Sequence, residues 1–327
     1  MKKYLALLKT GWLGLLLACF IGGIAYLIEL IVGSPLVESL LIALVIGIIV
    51  RTVIGDNKKL TPGFTLAPLV FIPLGAMFYG AVNLNFVKFA KVDIRFIILL
   101  IIIMFVYFGV VFLLGKLLKQ RKQITCLVAT GSAICGASAI IITAPALEAE
   151  ADDISISLIS VFLAALFGLF ILFPFLTSLF DMGERLYALF SGMTLQFTGF
   201  VKAATGALGK ETQTLALSVK GVRYLGLLIA VPLFSSVIKK RFHIPWFLWL
   251  FLGAGLIFSF LPTIAKSLNQ IFKPSLIVLW SIALSGVGLN ADLKALLSDN
   301  GLKALLMAFV GFFAAVAVFI LGSFLIM

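Results

Sequence analysis

The sequence predicts an all-α, polytopic membrane protein with about 11 transmembrane helices. Three observations carry that expectation. The chain is 63% hydrophobic, only 12% charged and holds 31 Phe, whereas soluble domains carry about 25% charged residues. Apolar runs of about 20 residues, the length needed to cross a bilayer core, recur along the whole chain with short loops between them. Basic residues gather in alternate loops, as they do on the cytoplasmic side of membrane proteins. The net charge of +12 then reports orientation and does not point to a nucleic-acid partner.

Taken in order, the N-terminal MKKYLALLKTGWLGLLLACF resembles a signal peptide, but its apolar part is too long and no clear cleavage site follows. It is read as a retained first span near 12–31. Further spans are expected near 36–54, 64–82, 94–118, 124–147, 154–180, 186–208, 213–238, 245–264, 273–297 and 302–326. The third and seventh are the weakest, because Pro, Gly or polar residues interrupt them. With the N-terminus cytoplasmic, most of the 25 Lys and Arg fall inside, among them Arg51, Lys58, Lys116, Arg121, Arg185 and Lys239–Arg241. The acidic loop Glu148, Glu150, Asp152 and Asp153 then falls outside. Lys88, Lys91 and Arg95 conflict with this orientation.

Eleven spans divide into one plus five plus five: an extra helix in 1–35, a first repeat in 36–180 and a second in 181–327. A repeat with an odd number of spans makes the second copy inverted. The fourth span of the first copy carries GSAICGASAIIITAP, Gly131 to Pro145, with Gly, Ser and Pro where Leu and Val are usual. Gly and Pro weaken helix continuity. A backbone freed at membrane depth is tolerated where it lines a cavity or is buried in protein. The fourth span of the second copy carries WSIALSGVGLN, Trp280 to Asn290. Two interrupted spans in corresponding positions point to a transporter site. The competing reading is a small-residue face for close helix packing.

The expected ligand groups are Ser132, Cys135, Gly136 and Ser138 at the first break, and Ser281, Ser285 and Gly286 at the second. Half-helix N-termini present free N–H groups to an anion. Lys220 and Arg223, three apart in TLALSVKGVRYLGLLIAVPLF, share one helix face and are expected to supply compensating charge. Snorkelling to the headgroups is the alternative, and it is favoured for Lys202. All 13 acids sit near predicted span ends, which weighs against a cation/proton antiporter. Asp292 is expected to cap a helix. No enzyme is expected. The one histidine, His243, lies in a basic loop, and nucleophile, zinc and phosphate-loop motifs are lacking. Cys19, Cys126 and Cys135 show no paired spacing.

The runs GSAICGASAIIITAPALEAEADDISISLISVFLAALFGLFILFP, LSVKGVRYLGLLIAVP, IPWFLWLFLGAGLIFSFLP and IALSGVGLNADLKAL resemble the YeiH-type family of bacterial inner-membrane proteins, whose name refers to sulfate export. The resemblance covers about 36–309, and Lys220 and Arg223 fall on a family Lys–x–x–Arg pair. It implies a distant kinship with the bile-acid/sodium symporter and cation/proton antiporter group. In that group two crossed broken helices sit in a core that moves against a scaffold, an elevator-type arrangement. Two departures stand out. Gln196 and Phe197 replace a His–acid pair, which places Gln196 among the expected substrate ligands, and Pro73 replaces an Arg. The expected function is a secondary transporter of a small anion such as sulfate, a sulfonate or a carboxylate. The alternatives are a sodium-coupled organic-anion symporter, or an anion channel or sensor of the same fold. No cofactor is expected beyond a coupling Na+ or H+. Besides substrate and lipid, a second copy of the chain is a compatible partner.

Overall fold

A computed structural model describes residues 2–55, 57–239 and 244–326. Asp56, His243 and the basic pair Lys240 and Arg241 lie outside the described residues. The described chain is helical throughout, with short turns between helices. Seven helices are long and apolar enough to cross a membrane among the described residues. They are α1 (Lys2–Val32, spanning from Thr10), α3 (Thr61–Asn83), α4 (Ile94–Leu117), α7 (Ala151–Leu179), α10 (Lys210–Ile238), α13 (Pro262–Asn290) and α14 (Asp299–Ile326). Two shorter apolar helices are α2 (Ser39–Ile54) and α12 (Trp246–Phe260).

Local chemistry explains where these helices start. Prolines occupy the first turn of α3 and α13, where no N–H is needed. Asp93 caps α4 by accepting from Arg95 N at 2.9 Å. Glu150 and Asp153 form a reciprocal capping box on α7. Asp292 accepts from Lys294 N at 2.9 Å, the capping role expected of it.

The helices form two packed groups. One holds α1, α2, α3, α12 and α13; the other holds α4, α7, α10 and α14 together with four short helices described next. Hereafter these are the scaffold and the core.

The expected spans 124–147 and 186–208 do not cross the membrane. The first consists of α5 (Lys122–Thr130), a π turn (Gly131–Cys135), α6 (Ala137–Thr143) and a 3-10 turn (Ala144–Leu147). Its longer arm is about 21 Å at 1.5 Å per residue, short of the ~30 Å core. The arms fold back on each other: a Cβ on Gly131 would lie 2.7 Å from Ile140 Cδ1. Their feet meet where Arg121 pairs with Glu150 at 3.0 Å and with Asp153 at 3.1 Å. The second consists of α8 (Glu184–Thr194) and α9 (Thr198–Thr205). Both ends of this hairpin lie near the start of α10, where Thr212 donates to Glu184 at 3.2 Å. Two re-entrant hairpins thus replace two of the eleven expected crossings.

This changes the loop assignment. The acidic loop 148–153 lies at the end of the molecule that holds Arg121, not the opposite end. Arg185 stacks on Phe96, near the start of α4, with its Cζ 5.7 Å from the ring centroid, so it belongs to the end opposite Arg121.

The second expected break is also absent. α13 is one continuous helix from Pro262 to Asn290, through the whole WSIALSGVGLN run. Its small residues serve packing. A Cβ on Gly288 would lie 2.2 Å from Leu44 O, and one on Gly286 2.6 Å from Phe64 O. Ser285 Oγ donates to Ala18 O at 2.7 Å and contacts Ile282 O at 2.8 Å, and Ser281 Oγ lies 3.0 Å from Ser39 Oγ. Ser281, Ser285 and Gly286 are therefore a seam between α13 and α1, α2 and α3, not ligands at a break. The pairing of two fourth spans, on which the inverted-repeat expectation rested, is lost with it.

Candidate functional site

The tips of the two hairpins meet. The first turns at Gly136, whose φ of +67° and ψ of −127° suit only glycine. The second turns at Leu195, Gln196 and Phe197, which have extended backbone at residues 195 and 197. A Cβ on Gly136 would lie 3.0 Å from three atoms of the Phe197 ring. Phe197 is held in turn by Phe162, ring centroids 5.6 Å apart, and Phe200 at 5.3 Å.

Ending two helices inside an apolar interior leaves carbonyl groups without intrahelical partners, and each would be costly unsatisfied. Two fully buried cations from α10 meet that need. Arg223 Nε donates to Ala133 O at 2.9 Å and Nη2 to Ser132 O at 2.8 Å, both on the first hairpin. Its Nη1 faces Met193 O at 2.9 Å, Leu195 O at 2.8 Å and Gly192 O at 3.4 Å on the second. Lys220 Nζ donates to Ile134 O at 3.0 Å, Leu195 O at 2.6 Å and Gln196 O at 2.6 Å. Tyr107 OH donates to Thr194 O at 2.8 Å. Every carbonyl from Gly192 to Gln196 thereby accepts a hydrogen bond.

Lys220 and Arg223 thus take a role other than the expected one. They are neither snorkelling nor an open cationic wall. The three ammonium protons of Lys220 are committed, and Arg223 keeps one Nη2 proton uncommitted. Their charge still matters. No carboxylate is salt-bridged to either among the described residues. The C-terminal ends of α5 and α8 offset part of it, and the N-terminal ends of α6 and α9 at the same tips add to it, so the tips keep a net positive field.

Of the expected site residues, Ser132, Cys135, Gly136, Ser138, Lys220, Arg223 and Gln196 come together here. Ser132 Oγ and Gln196 Oε1 are fully buried and lack a hydrogen-bond partner. The Tyr79 hydroxyl reaches from the scaffold toward Cys135 and Ser138. Tyr79 also packs on Trp280, ring centroids 5.0 Å apart. Four residues at this site escaped the sequence reading: Tyr79, Tyr107, Phe197 as a tip residue, and Thr198, whose Oγ1 lies 2.8 Å from Tyr224 OH. The polar pair Thr194 and Gln196 inside a weak apolar run was the available signal for the second tip.

Two cavities enter the seam between core and scaffold. One, of about 430 Å³, is bounded by Tyr79 and Asn83 of α3, Lys273 and Trp280 of α13, Ser138 beside the first tip, and Thr198 and Lys202 of α9. The other, of about 340 Å³, is bounded by Thr65, Pro68 and Ile72 of α3, Val287 and Asn290 of α13, and Ala144 and Glu150 of the first hairpin. Their nearest lining residues on α3, Ile72 and Tyr79, are about 10 Å of helix apart and the rest lie toward opposite ends of it, so the cavities open toward opposite ends. Lys202, expected to snorkel, lines the larger one.

Comparison with known proteins agrees with a multi-pass membrane protein. The chain is 30% identical over 314 residues to a UPF0324 membrane protein of Archaeoglobus fulgidus, covering 94% of this chain and 92% of that one. It is 30% identical to a UPF0324 membrane protein of Bartonella henselae, covering 90% and 87%. It is 28% identical to one of Staphylococcus epidermidis, covering 87% and 88%. No solved structure matches the chain. A family model described as Conserved hypothetical protein 698 matches residues 13–308. The chain belongs to that family.

Proposed function

We propose that the protein is a secondary transporter that carries a small anion by alternating access. The observation that carries this reading is the pair of opposed hairpins touching at Gly136 and Phe197, with a cavity reaching the seam from each end. Broken helices meeting at the midplane are the usual construction of a secondary-transporter site. The buried, unbridged charges of Lys220 and Arg223 favour a negative substrate. Buried Ser132 Oγ, without a partner, and the uncommitted Nη2 proton of Arg223 are donors at the tips still free to orient one.

The anion is of the sulfate, sulfonate or small carboxylate class, and the core moves against the scaffold of α1, α2, α3, α12 and α13. The N-terminus faces the cytoplasm of a bacterial cell, because most of the basic loop residues lie at that end, with Arg185, Lys88, Lys91 and Arg95 at the other. The test is counterflow in proteoliposomes. Preloading with unlabelled sulfate, a sulfonate or a carboxylate should accelerate uptake of the same labelled anion. A pore gives no such acceleration. Absence of counterflow across all three classes overturns the transport reading.

A further inference from the structure

The scaffold touches the second hairpin at one tight place that the anion site does not explain. The loop between α1 and α2 lies on the start of α9. A Cβ on Gly199 would lie 2.3 Å from Pro35 O and 2.9 Å from Glu38 Oε1. The half-buried Glu38 carboxyl group lies against the backbone of Gly199. A scaffold carboxyl group therefore meets the N-terminal end of a core half-helix. Glu29, at the end of α1, is its neighbour and accepts Ser39 N at 2.9 Å. Both acids line the larger cavity, which opens next to the first tip at Ser138.

We propose that Glu38, backed by Glu29, is a proton-binding latch that ties core movement to proton uptake and release. In the latched state Glu38 lies against Gly199 and holds a proton taken from hydronium in the cavity solvent, which leaves water. When the core slides away, water hydrates the carboxyl, the O–H bond breaks, and the proton returns to solvent as the carboxylate forms. The proposal names the coupling ion of the transport reading and rests on that reading for its purpose. Its physical content, a pH-dependent contact between Glu38 and Gly199, stands or falls alone.

The groups facing Glu38 set the sign. Glu38 precedes α2 and lies outside the spanning helices. Burial, and second the Glu29 carboxylate of α1, raise its carboxyl from the usual 4.5 to about 7. Lys202 of α9, Lys220 of α10 and the Gly199 N–H pull the other way without prevailing. Lys273 of α13 acts on Lys202 across the same cavity. A carboxyl raised in the latched state binds its proton more tightly there than in water. The latch is therefore favoured in full below about pH 4.5, and its advantage is lost as pH rises through about 7.

The test is hydrogen-exchange mass spectrometry of the full chain in lipid nanodiscs at pH 6 and pH 8, corrected for the intrinsic pH dependence of exchange. Protection of the peptide containing Gly199 should fall roughly tenfold between these values in the wild-type chain. Glu38→Gln, which cannot ionise, should abolish that difference. Glu29→Gln, which removes the repelling charge, should move the fall to lower pH. No fall in the wild type, or the same fall in Glu38→Gln, overturns the latch. If Glu38→Gln does not fold, an unshifted fall in Glu29→Gln overturns it. The measurement needs no substrate, so a negative counterflow result sinks the transport reading without deciding this one.

Discussion

Two stretches of this chain carry the same signature of serines and glycines in an apolar run, and they fold differently. Gly131–Ser138 breaks its helix, while Ser281–Gly288 continues one for its full length. The glycines of the second stretch make room for neighbouring backbone, at Leu44 and Phe64. Its serines donate to carbonyls and hydroxyls nearby. In the first stretch Gly136 takes a backbone conformation closed to other residues, and the carbonyls it frees have buried cations waiting. Small residues permit either outcome. What decides is whether another part of the chain supplies donors for the freed backbone.

That contrast can be broken most directly at the donors. Arg223→Met should lower stability by about 3–5 kcal/mol, because it leaves carbonyls of both hairpins unpaired in an apolar interior. The measurement is the melting temperature in detergent. Arg223→Lys, which keeps the charge without the fork, should recover only part of the loss. A Met variant as stable as wild type would show that the carbonyls find other partners.

A smaller effect is expected at the turn. Gly136→Ala should cost about 2 kcal/mol, from the positive φ and from contact with Phe197. Adding Phe197→Leu should relieve the contact but not the backbone strain, so the double variant should regain only part of the stability. Full recovery would assign the whole cost to crowding. The smallest effect belongs to the unbroken stretch. Ser285→Ala should cost about 1 kcal/mol, the value of one buried hydrogen bond, and should leave counterflow unchanged. A loss of counterflow there would return α13 to the substrate site.

The residues that break the first helix were readable because Gly136 sits in a run of small residues with Pro145 beyond it. Lys220 and Arg223 were readable because two cations one turn apart inside an apolar span demand a partner. Their partners were not readable, since backbone carbonyls leave no mark in a sequence. The fold-back of the hairpins was hidden for a related reason. A run of apolar residues near 124–147 looks the same whether it crosses or returns, and the approach of Gly131 to Ile140 and the Arg121 contacts with Glu150 and Asp153 separate the two. The second tip was missed because Leu195, Gln196 and Phe197 include neither Gly nor Pro. The Glu38 contact joins residues 161 positions apart in the chain, beyond any local pattern.

The ion pairs at the feet of the first hairpin bear on how it can move. Arg121 clasps Glu150 and the almost fully buried Asp153, so the two arms are fastened like tweezers with tied handles. Prising them apart to open a gate would strand Asp153 without its cation. Travel as a single rigid wedge, carrying Gly136 and whatever rests on it, leaves the clasp intact.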